Sequence, residues 1–201
     1  MRSISKRAPG ELFDEANSLA IHVLGGYVYP RDFPVEQYWR DNRLNMIHEG
    51  THGIQALDLL GRKVLMEGGR GLELLSGRIN TTIERAIQLP ELAAHANALA
   101  QALQHVGSAT KAAWATGQSR DVLANAVPYM QGFGHTVLAW IWLDVATISM
   151  AQVATHSIAA RAGFQGATAY FYAYELPKIT AWLVVVENRN LLCANLPEEA
   201  F

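Results

Sequence analysis

Four long segments that are rich in alanine and poor in charge fill the second half of this sequence, at residues 71–87, 91–116, 119–160 and 167–190. Alanine has the highest intrinsic helix propensity, and the alternating β-branched residues typical of half-buried strands are scarce here. Half of all residues are hydrophobic and only 17% are charged, so the chain can bury a sizeable core. The sequence therefore predicts an all-α protein whose second half is a bundle of three or four helices.

The first part of the chain predicts shorter helices separated by glycine and proline. The expected elements are a helix over 11–24, an ordered loop over 27–34, and helices over 35–47 and 51–65. Gly25-Gly26 ends the first helix, and Thr51 is expected to cap the third. A flexible joint at Gly68-Gly69 then divides the chain into two expected domains, 1–66 and 67–201.

Residue types inside the long segments lead to further expectations. Pro128, Gly132 and Gly134 are expected to kink or break the third segment, and Pro177 the fourth. The aromatic residues of the bundle are expected in its core rather than around a cofactor; they are Trp140, Trp142, Tyr170, Phe171 and Tyr172. The histidines of this half are scattered singly, and no metal site is expected from His95, His105, His135 or His156.

Charge and cysteine content exclude several classes of protein. Sixteen basic residues against eighteen acidic ones give no basic excess, so nucleic acid is not an expected partner. The single cysteine, Cys193, cannot form an internal disulfide, and together with the absence of a signal-peptide pattern it indicates a cytoplasmic protein. The uncharged stretch 122–143 is long enough to cross a membrane, but its Asn, Gln and His side chains argue against a membrane span.

The segment His48-Glu49-Gly50-Thr51-His52 matches the H-E-x-x-H pattern of zinc peptidases. In that pattern two histidines on one helix face bind zinc while the glutamate activates a water molecule. Gly50 and Thr51 instead suggest that the helix breaks between the histidines, which would separate the two ligands. A zinc peptidase therefore stays a third, less favoured hypothesis, and no metal ligand is assigned.

A longer pattern explains the same residues. It runs from Ala20-Ile21-His22-Val23-Leu24-Gly25-Gly26-Tyr27 through the Arg40-Asp41-Asn42-Arg43 helix to Ile47-His48-Glu49-Gly50-Thr51, and it closes with Gly61-Arg62-Lys63. This stretch of about 45 residues closely resembles the C-terminal part of the acyl-CoA dehydrogenases. Further on, Pro128-Tyr129-Met130-Gln131-Gly132 and Ala169-Tyr170-Phe171-Tyr172 resemble the C-terminal extension of the long branch of that family. The resemblance implies an all-α half-domain followed by a helical bundle.

The resemblance also implies roles for individual residues. Glu49 matches the catalytic base that removes the proton α to the thioester carbonyl of an acyl-CoA, while FAD accepts the hydride. The resemblance also assigns the Glu49 backbone N–H to the thioester carbonyl, and it places the adjoining His48 and Gly50 in the segment that contacts the substrate. The residues that match FAD contacts are His22, Gly25, Gly26 and Thr51.

Each of these residues also has a plain structural interpretation. Gly25-Gly26 also fits a simple helix stop, and Thr51 also fits a helix cap. Glu49 also fits an exposed carboxylate. Arg40, Asp41 and Arg43 fit an ion-paired helix face. Two residues depart from the family pattern, which usually has an aromatic residue at the position of His48 and a glutamine at that of His22.

The chain contains no counterpart of the N-terminal and central domains that enclose the flavin in the intact family. The expected function is thus that of a C-terminal portion of an acyl-CoA dehydrogenase, inactive alone or acting as one subunit of a split enzyme. A truncated product is equally compatible with the sequence. The alternative from another class is a non-enzymatic helical module that self-associates, with a homodimer as the expected oligomer.

Overall fold

The computed structural model describes residues 2–28, 33–48, 50–151 and 157–200, and within them every regular element is helical. The contacts between Cα atoms divide the chain into two units, residues 1–56 and 57–201. The all-α expectation is confirmed. The domain boundary expected at residue 66 stays a prediction, ten residues beyond this division of contacts.

Unit 1 consists of short helices around one long helix. α1 is Arg2–Leu24, which begins earlier than expected and includes Pro9 and Gly10, and a 3-10 turn at Gly25–Val28 follows it. α2 is Val35–Asn42, and a 3-10 turn at Arg43–Met46 replaces the last part of the helix expected over 35–47. α3 is His52–Asp58, and it begins directly after Thr51, as the cap signal predicts.

Unit 2 carries the long helices. They are α4 (Arg70–Ala86), α5 (Ala93–Ala113), α6 (Ser119–Leu123), α7 (Ala126–Ala151), α8 (Ile158–Tyr170), α9 (Lys178–Glu187) and α10 (Leu192–Asn195). Two π-helical turns interrupt the α-helical pattern, one at Leu59–Lys63 and one at Phe171–Glu175. α7 packs against α4, α5, α8 and α9, so it is the central helix of the bundle.

The bundle core comes from one apolar face of each surrounding helix. Leu75 and Ile79 on α4, Leu99 and Val106 on α5, and Leu183 and Val186 on α9 recur at helical spacing. α7 buries residues on several sides, because helices surround it. By length and composition alone it is long and apolar enough to cross a membrane, and half of its most apolar window is buried in the bundle. A central core helix explains that composition.

α7 differs from the expected broken segment. Pro128 lies in its first turn, where a missing backbone N–H costs little, and the helix continues through Gly132 and Gly134 without a break. The segment expected as 119–160 divides instead at the turn between α6 and α7 and again before α8. Pro177 does end a helical segment, because α9 begins at the residue after it.

Tyr129 contributes one buried hydroxyl to the core, and its partner is Thr110. Tyr129 is fully buried, its Oη lies 2.7 Å from Thr110 Oγ1, and Thr110 Oγ1 lies 2.7 Å from the Val106 carbonyl oxygen. Because the Thr110 hydroxyl donates to Val106, the Tyr129 hydroxyl donates to Thr110. Burial also raises the pKa of Tyr129 well above its ordinary value, so the phenol stays protonated.

This chain of hydrogen bonds makes an asymmetric prediction. Thr110→Val removes the acceptor and leaves a buried phenol donor unsatisfied, so we expect a loss of about 1–3 kcal/mol in the free energy of unfolding. Tyr129→Phe removes only the donor and costs about 1 kcal/mol. Urea titrations of both variants, with Thr110→Ser as the control that keeps the hydroxyl, measure the difference. Equal losses in Thr110→Val and Tyr129→Phe would contradict the assigned donor.

Candidate functional site

The C-terminal end of α1 presents an open backbone. His22 is exposed in its last turn, and Gly25 takes a φ of +57° directly after the helix. Among the described residues, apart from the immediate chain neighbours, no heavy atom lies within 4 Å of the place where a Cβ of Gly25 or Gly26 would stand. A flat group such as part of a dinucleotide can therefore reach the main chain at this turn, which fits the FAD contact that the resemblance implies.

An ion pair joins α1 to the turn that follows α2. The Nε atom of Arg43 lies 3.2 Å from Oδ1 of Asp14, whose side chain is only 18% exposed. The Arg43 guanidinium also lies over the Trp39 ring, 5.1 Å from its centroid. Because Asp14 is mostly shielded from water, this pair is screened less than a surface pair. It fixes the 3-10 turn at Arg43–Met46 against α1.

That turn leads into the predicted catalytic segment. The backbone N–H groups of Ile47 and His48 both donate to the Leu44 carbonyl, at 3.2 and 2.9 Å, and the His48 side chain is exposed. Glu49, the predicted base, lies outside the described residues. On its far side Thr51 is exposed and precedes the first residue of α3, and its carbonyl accepts from the Gln55 N–H at 3.0 Å.

Gly50 has a backbone conformation that other residues rarely adopt. Its φ is +101°, whereas the space around a Cβ there is ordinary, with Gln55 Nε2 and Ile54 Cγ2 each at 3.4 Å. The need for glycine thus comes from the backbone dihedral rather than from crowding. Gly50 therefore stands just before Thr51 and α3 at a point where any other residue would strain the backbone.

The predicted site residues fall into two groups in unit 1. His22, Gly25 and Gly26 lie at the end of α1, and His48, Gly50 and Thr51 lie in the turn before α3. The Asp14–Arg43 pair connects the two segments, since Asp14 lies about two turns before His22 on α1 and Arg43 lies five residues before His48. The cofactor, substrate and catalytic roles of these residues stay predictions.

The arrangement of the two histidines does not match that of a zinc peptidase. His48 lies in a turn outside any helix, and α3 begins at His52, so the two rings do not occupy positions i and i+4 of one helix. In the part of the chain that the structure describes, no group of three His, Cys, Asp or Glu side chains converges on a metal position.

Sequence reasoning did not identify two of the residues that shape this region. Asp14 pairs with a residue 29 positions away, and no local spacing signals such a contact. Asn42 is 8% exposed, and its Oδ1 accepts a hydrogen bond from Asn45 Nδ2 at 3.0 Å. A polar residue in the last turn of an amphipathic helix gives no indication by itself that it is buried.

Two family models match the chain. Residues 75–197 match the model described as "Acetyl-CoA dehydrogenase C-terminal like", and residues 2–65 match "Acyl-CoA dehydrogenase, C-terminal domain". The first covers the helical bundle, and the second covers the segment that contains both groups of predicted site residues. The sequence resemblance to this family is confirmed.

Curated relatives agree with these matches. The chain is 27% identical over 194 residues to the broad-specificity linear acyl-CoA dehydrogenase FadE5 of Mycobacterium tuberculosis, covering 90% of this chain and 32% of that protein. It is 34% identical over 132 residues to the 3-methylmercaptopropionyl-CoA dehydrogenase of Ruegeria pomeroyi, covering 63% of this chain and 22% of that protein. It is 39% identical over 59 residues to the mitochondrial short-chain specific acyl-CoA dehydrogenase of Rattus norvegicus, covering 29% of this chain and 14% of that protein.

The chain thus spans about a third or less of the length of these relatives. Both family models describe C-terminal regions, and together they account for nearly all of it. The chain belongs to the acyl-CoA dehydrogenase family, of which it contains a C-terminal portion.

Proposed function

We propose that this chain supplies the catalytic base and part of the flavin site of an FAD-dependent acyl-CoA dehydrogenase, and that a further polypeptide supplies the rest. The match of residues 2–65 to the family's C-terminal domain carries this proposal, because that range contains Glu49, Gly50 and Thr51. The substrate class is an acyl-CoA thioester.

The proposed chemistry rests on few side chains. Glu49 removes the proton α to the thioester carbonyl, and a carboxylate suits this step once it is positioned close to the carbon and shielded from water. The Glu49 N–H donates to the thioester carbonyl oxygen, where negative charge develops. FAD, when bound, accepts the hydride from the β carbon. The positive φ of Gly50 supports this assignment, since the resemblance has a glycine directly after the base and this backbone conformation favours glycine.

The need for a further polypeptide is supported by the surface of unit 1. Within the described part of unit 1, Ala56 is the one fully buried apolar residue. Nine large apolar side chains of this unit are exposed: Phe13, Leu19, Val23, Tyr27, Phe33, Tyr38, Leu44, Ile47 and Ile54. We call these nine side chains the open apolar face. A flavin and a thioester bound to this unit alone would be open to water, which disfavours proton and hydride transfer.

A complementation assay tests the proposal. The chain is coexpressed with the part of FadE5 that precedes the matched third, and acyl-CoA oxidation is followed with an artificial electron acceptor. We expect activity in the mixture and none from either polypeptide alone. Glu49→Gln should lower kcat in the mixture by about 10²–10⁴-fold, because it removes the base and keeps its size.

Glu36→Gln is the matched control for that variant. Glu36 forms an exposed ion pair with Arg40 at 3.1 Å, and such pairs contribute little to stability, so kcat should stay unchanged. Unchanged activity in Glu49→Gln would refute the assigned base. Oxidation of acyl-CoA by the chain alone would refute the requirement for a partner.

Binding of FAD gives an independent test. Titration of the purified chain with FAD, followed by flavin absorbance and fluorescence, should show no saturation at micromolar concentration. Saturation near one FAD per chain, abolished by a bulky residue at Gly26, would mean that unit 1 already forms the site.

The open apolar face also supports a second candidate, a helical module that self-associates without catalysis. Exposed apolar side chains favour association, and a second copy of the chain can cover them by symmetry. Light scattering distinguishes the candidates. A stable dimer that stays inactive with the complementing polypeptide favours the module, and a dimer that dissociates when that polypeptide binds favours the enzyme.

A further inference from the structure

Three ionisable side chains meet at the π-helical turn Phe171–Glu175, where His135 and Glu175 are buried and Lys178 is half-exposed at the surface of the bundle. Glu175 is the last residue of this turn and is 8% exposed. Its two carboxylate oxygens lie 2.8 and 2.7 Å from Nζ of Lys178, in the first turn of α9. On the other side, Nε2 of His135 on α7 lies 3.6 Å from Glu175 Oε2, and His135 is 6% exposed. None of these residues belongs to the predicted catalytic segment.

The other ring nitrogen of His135 fixes its tautomer. Nδ1 lies 3.1 Å from the Gln131 carbonyl oxygen, which can only accept, so Nδ1 carries the proton of the neutral ring. Nε2 then presents a lone pair toward Oε2 of Glu175, and two acceptors face each other. A second proton on the ring would turn this contact into a charge-assisted hydrogen bond.

The Glu175 carboxylate is the group beside Nε2 that can accept a hydrogen bond from the protonated ring. The Trp182 ring meets the imidazole edge-on with centroids 4.7 Å apart, and the Phe171 ring lies 6.0 Å away, so the site is otherwise apolar. The negative charge of Glu175 raises the pKa of His135, and the positive charge of Lys178 lowers it.

Several charged groups on the other packed elements make their contacts away from His135. Arg85 on α4 pairs with Asp144, which lies about 13 Å along α7 from His135. On α5, His105 pairs with Glu187 of α9, and His95 lies against the Tyr172 ring. Arg161 of α8 lies beside Met150, about 22 Å along α7, and Arg62 and Lys63 of the first π-helical turn bind Asp58.

We propose that His135, Glu175 and Lys178 form an acid-sensitive switch, in which a proton on His135 Nε2 transfers the Glu175 carboxylate from Lys178 to His135. At neutral pH Glu175 binds Lys178 and ties the π-helical turn to the start of α9. On acidification Nε2–H donates to Oε2, the hold on Lys178 weakens, and the first turn of α9 loosens. The switch is a property of the bundle and is independent of the proposed catalysis.

The direction of its pH dependence follows from burial. Burial lowers the pKa of His135 below its ordinary value of 6.5, and this effect outweighs the opposing hydrogen bond to Gln131 and charge of Glu175. Below pH 6.5 the unfolded chain therefore takes up a proton that the folded bundle resists, so the free energy of unfolding falls as the pH decreases through this range. The switch changes state at the lower, folded-state pKa.

The test is an NMR titration of the histidine ring of His135 in the intact chain. Glu175→Gln removes a charge that favours the protonated ring, so the His135 midpoint should fall by about one pH unit. Lys178→Met removes a charge that opposes protonation, so the midpoint should rise. Glu187→Gln, which removes the partner of His105, should leave the His135 midpoint unchanged. If the three residues only packed against one another, the two substitutions would not shift the His135 midpoint in opposite directions. Equal midpoints in all three variants would overturn the proposal.

Tryptophan fluorescence gives a second readout that needs no change to the cluster. A protonated imidazole quenches a neighbouring indole, and Trp182 lies on α9 against His135. The difference between the native chain and Trp182→Phe should decrease on acidification with the midpoint that NMR gives for His135. A difference that stays constant through the His135 midpoint would show that Trp182 on α9 does not sense the proton on His135, and it would overturn the switch even if the variants failed to fold.

Discussion

Replacing Gly132 with alanine will destabilise the helical bundle by about 1–3 kcal/mol, because α7 and α9 meet there without room for a methyl group. A Cβ at Gly132 would stand 2.6 Å from Cδ2 and 2.7 Å from Cγ of Leu183, distances that real side chains do not tolerate. Leu183 is completely buried, so a rotation away from Gly132 would press its side chain against other atoms of the close-packed core. Thermal unfolding followed by circular dichroism should show a melting temperature roughly 3–10 °C lower.

Gly77→Ala is the matched control for this variant. Gly77 lies inside α4 and is exposed, and in the described part of the chain no heavy atom beyond the local helix backbone stands within 4 Å of a Cβ at that position. Alanine is the better helix former, so this change should stabilise the protein by about 0.5–1 kcal/mol. Opposite signs for the two substitutions separate crowding from helix propensity. If Gly132→Ala were also stabilising, the close approach of α7 to α9 would be wrong.

Gly132 also shows why the path of α7 could not be predicted from its sequence. Local propensity makes a glycine within a long segment a point of weakness, and Pro128 a few residues earlier strengthens that impression. The glycine is instead explained by a contact with Leu183, 51 residues away, which no spacing reveals. The bundle itself was predictable, because apolar faces on α4, α5 and α9 recur at helical intervals that need no knowledge of their partners.

The aromatic cluster 170–172 was predicted only in part. Phe171 and Tyr172 are buried, as expected, whereas Tyr170 is 58% exposed and packs against Tyr174 instead. Three consecutive residues of a helix point in directions about 100° apart, so they cannot all face one core. The π-helical turn that begins at Phe171 was not predictable, because a single added residue per turn has no distinct hydrophobic period.

The candidate site divides in a similar way between local and distant causes. Gly50 and Thr51 were identifiable from sequence, since a positive φ and the start of α3 are properties of a few adjacent residues. The Asp14–Arg43 pair was not, because it depends on how α1 meets the turn after α2. A residue that is needed for a local backbone conformation can be predicted from the sequence. A residue that holds one element against another cannot, because its partner lies far away in the chain.

Limited proteolysis of the full chain will remove unit 1 first and leave the bundle as the resistant product. Unit 1 offers trypsin Arg40 and Arg43, both exposed, on elements with one fully buried apolar residue among those described, Ala56. Segments that bury little apolar surface open at low free energy and are cut before a packed core. Gel electrophoresis with mass analysis should show early cuts after Arg40 and Arg43 and a product containing residues 57–201. First cuts after Lys111 or Arg120, in the bundle, would contradict this order of stability.

Leu143→Ala is the control that links this order to packing. Leu143 is completely buried on α7, and its loss should cost about 2–5 kcal/mol, so digestion of the bundle accelerates while the cuts after Arg40 and Arg43 keep their rate. Adding the complementing part of FadE5 should have the opposite selectivity, slowing those cuts and leaving the bundle unaffected, because the open apolar face becomes covered. A unit that gains its stability from a partner does not need to bury its own backbone. In the isolated chain, the main chain at Gly25 and Gly50 then stays accessible to the cofactor and the substrate that would bind there.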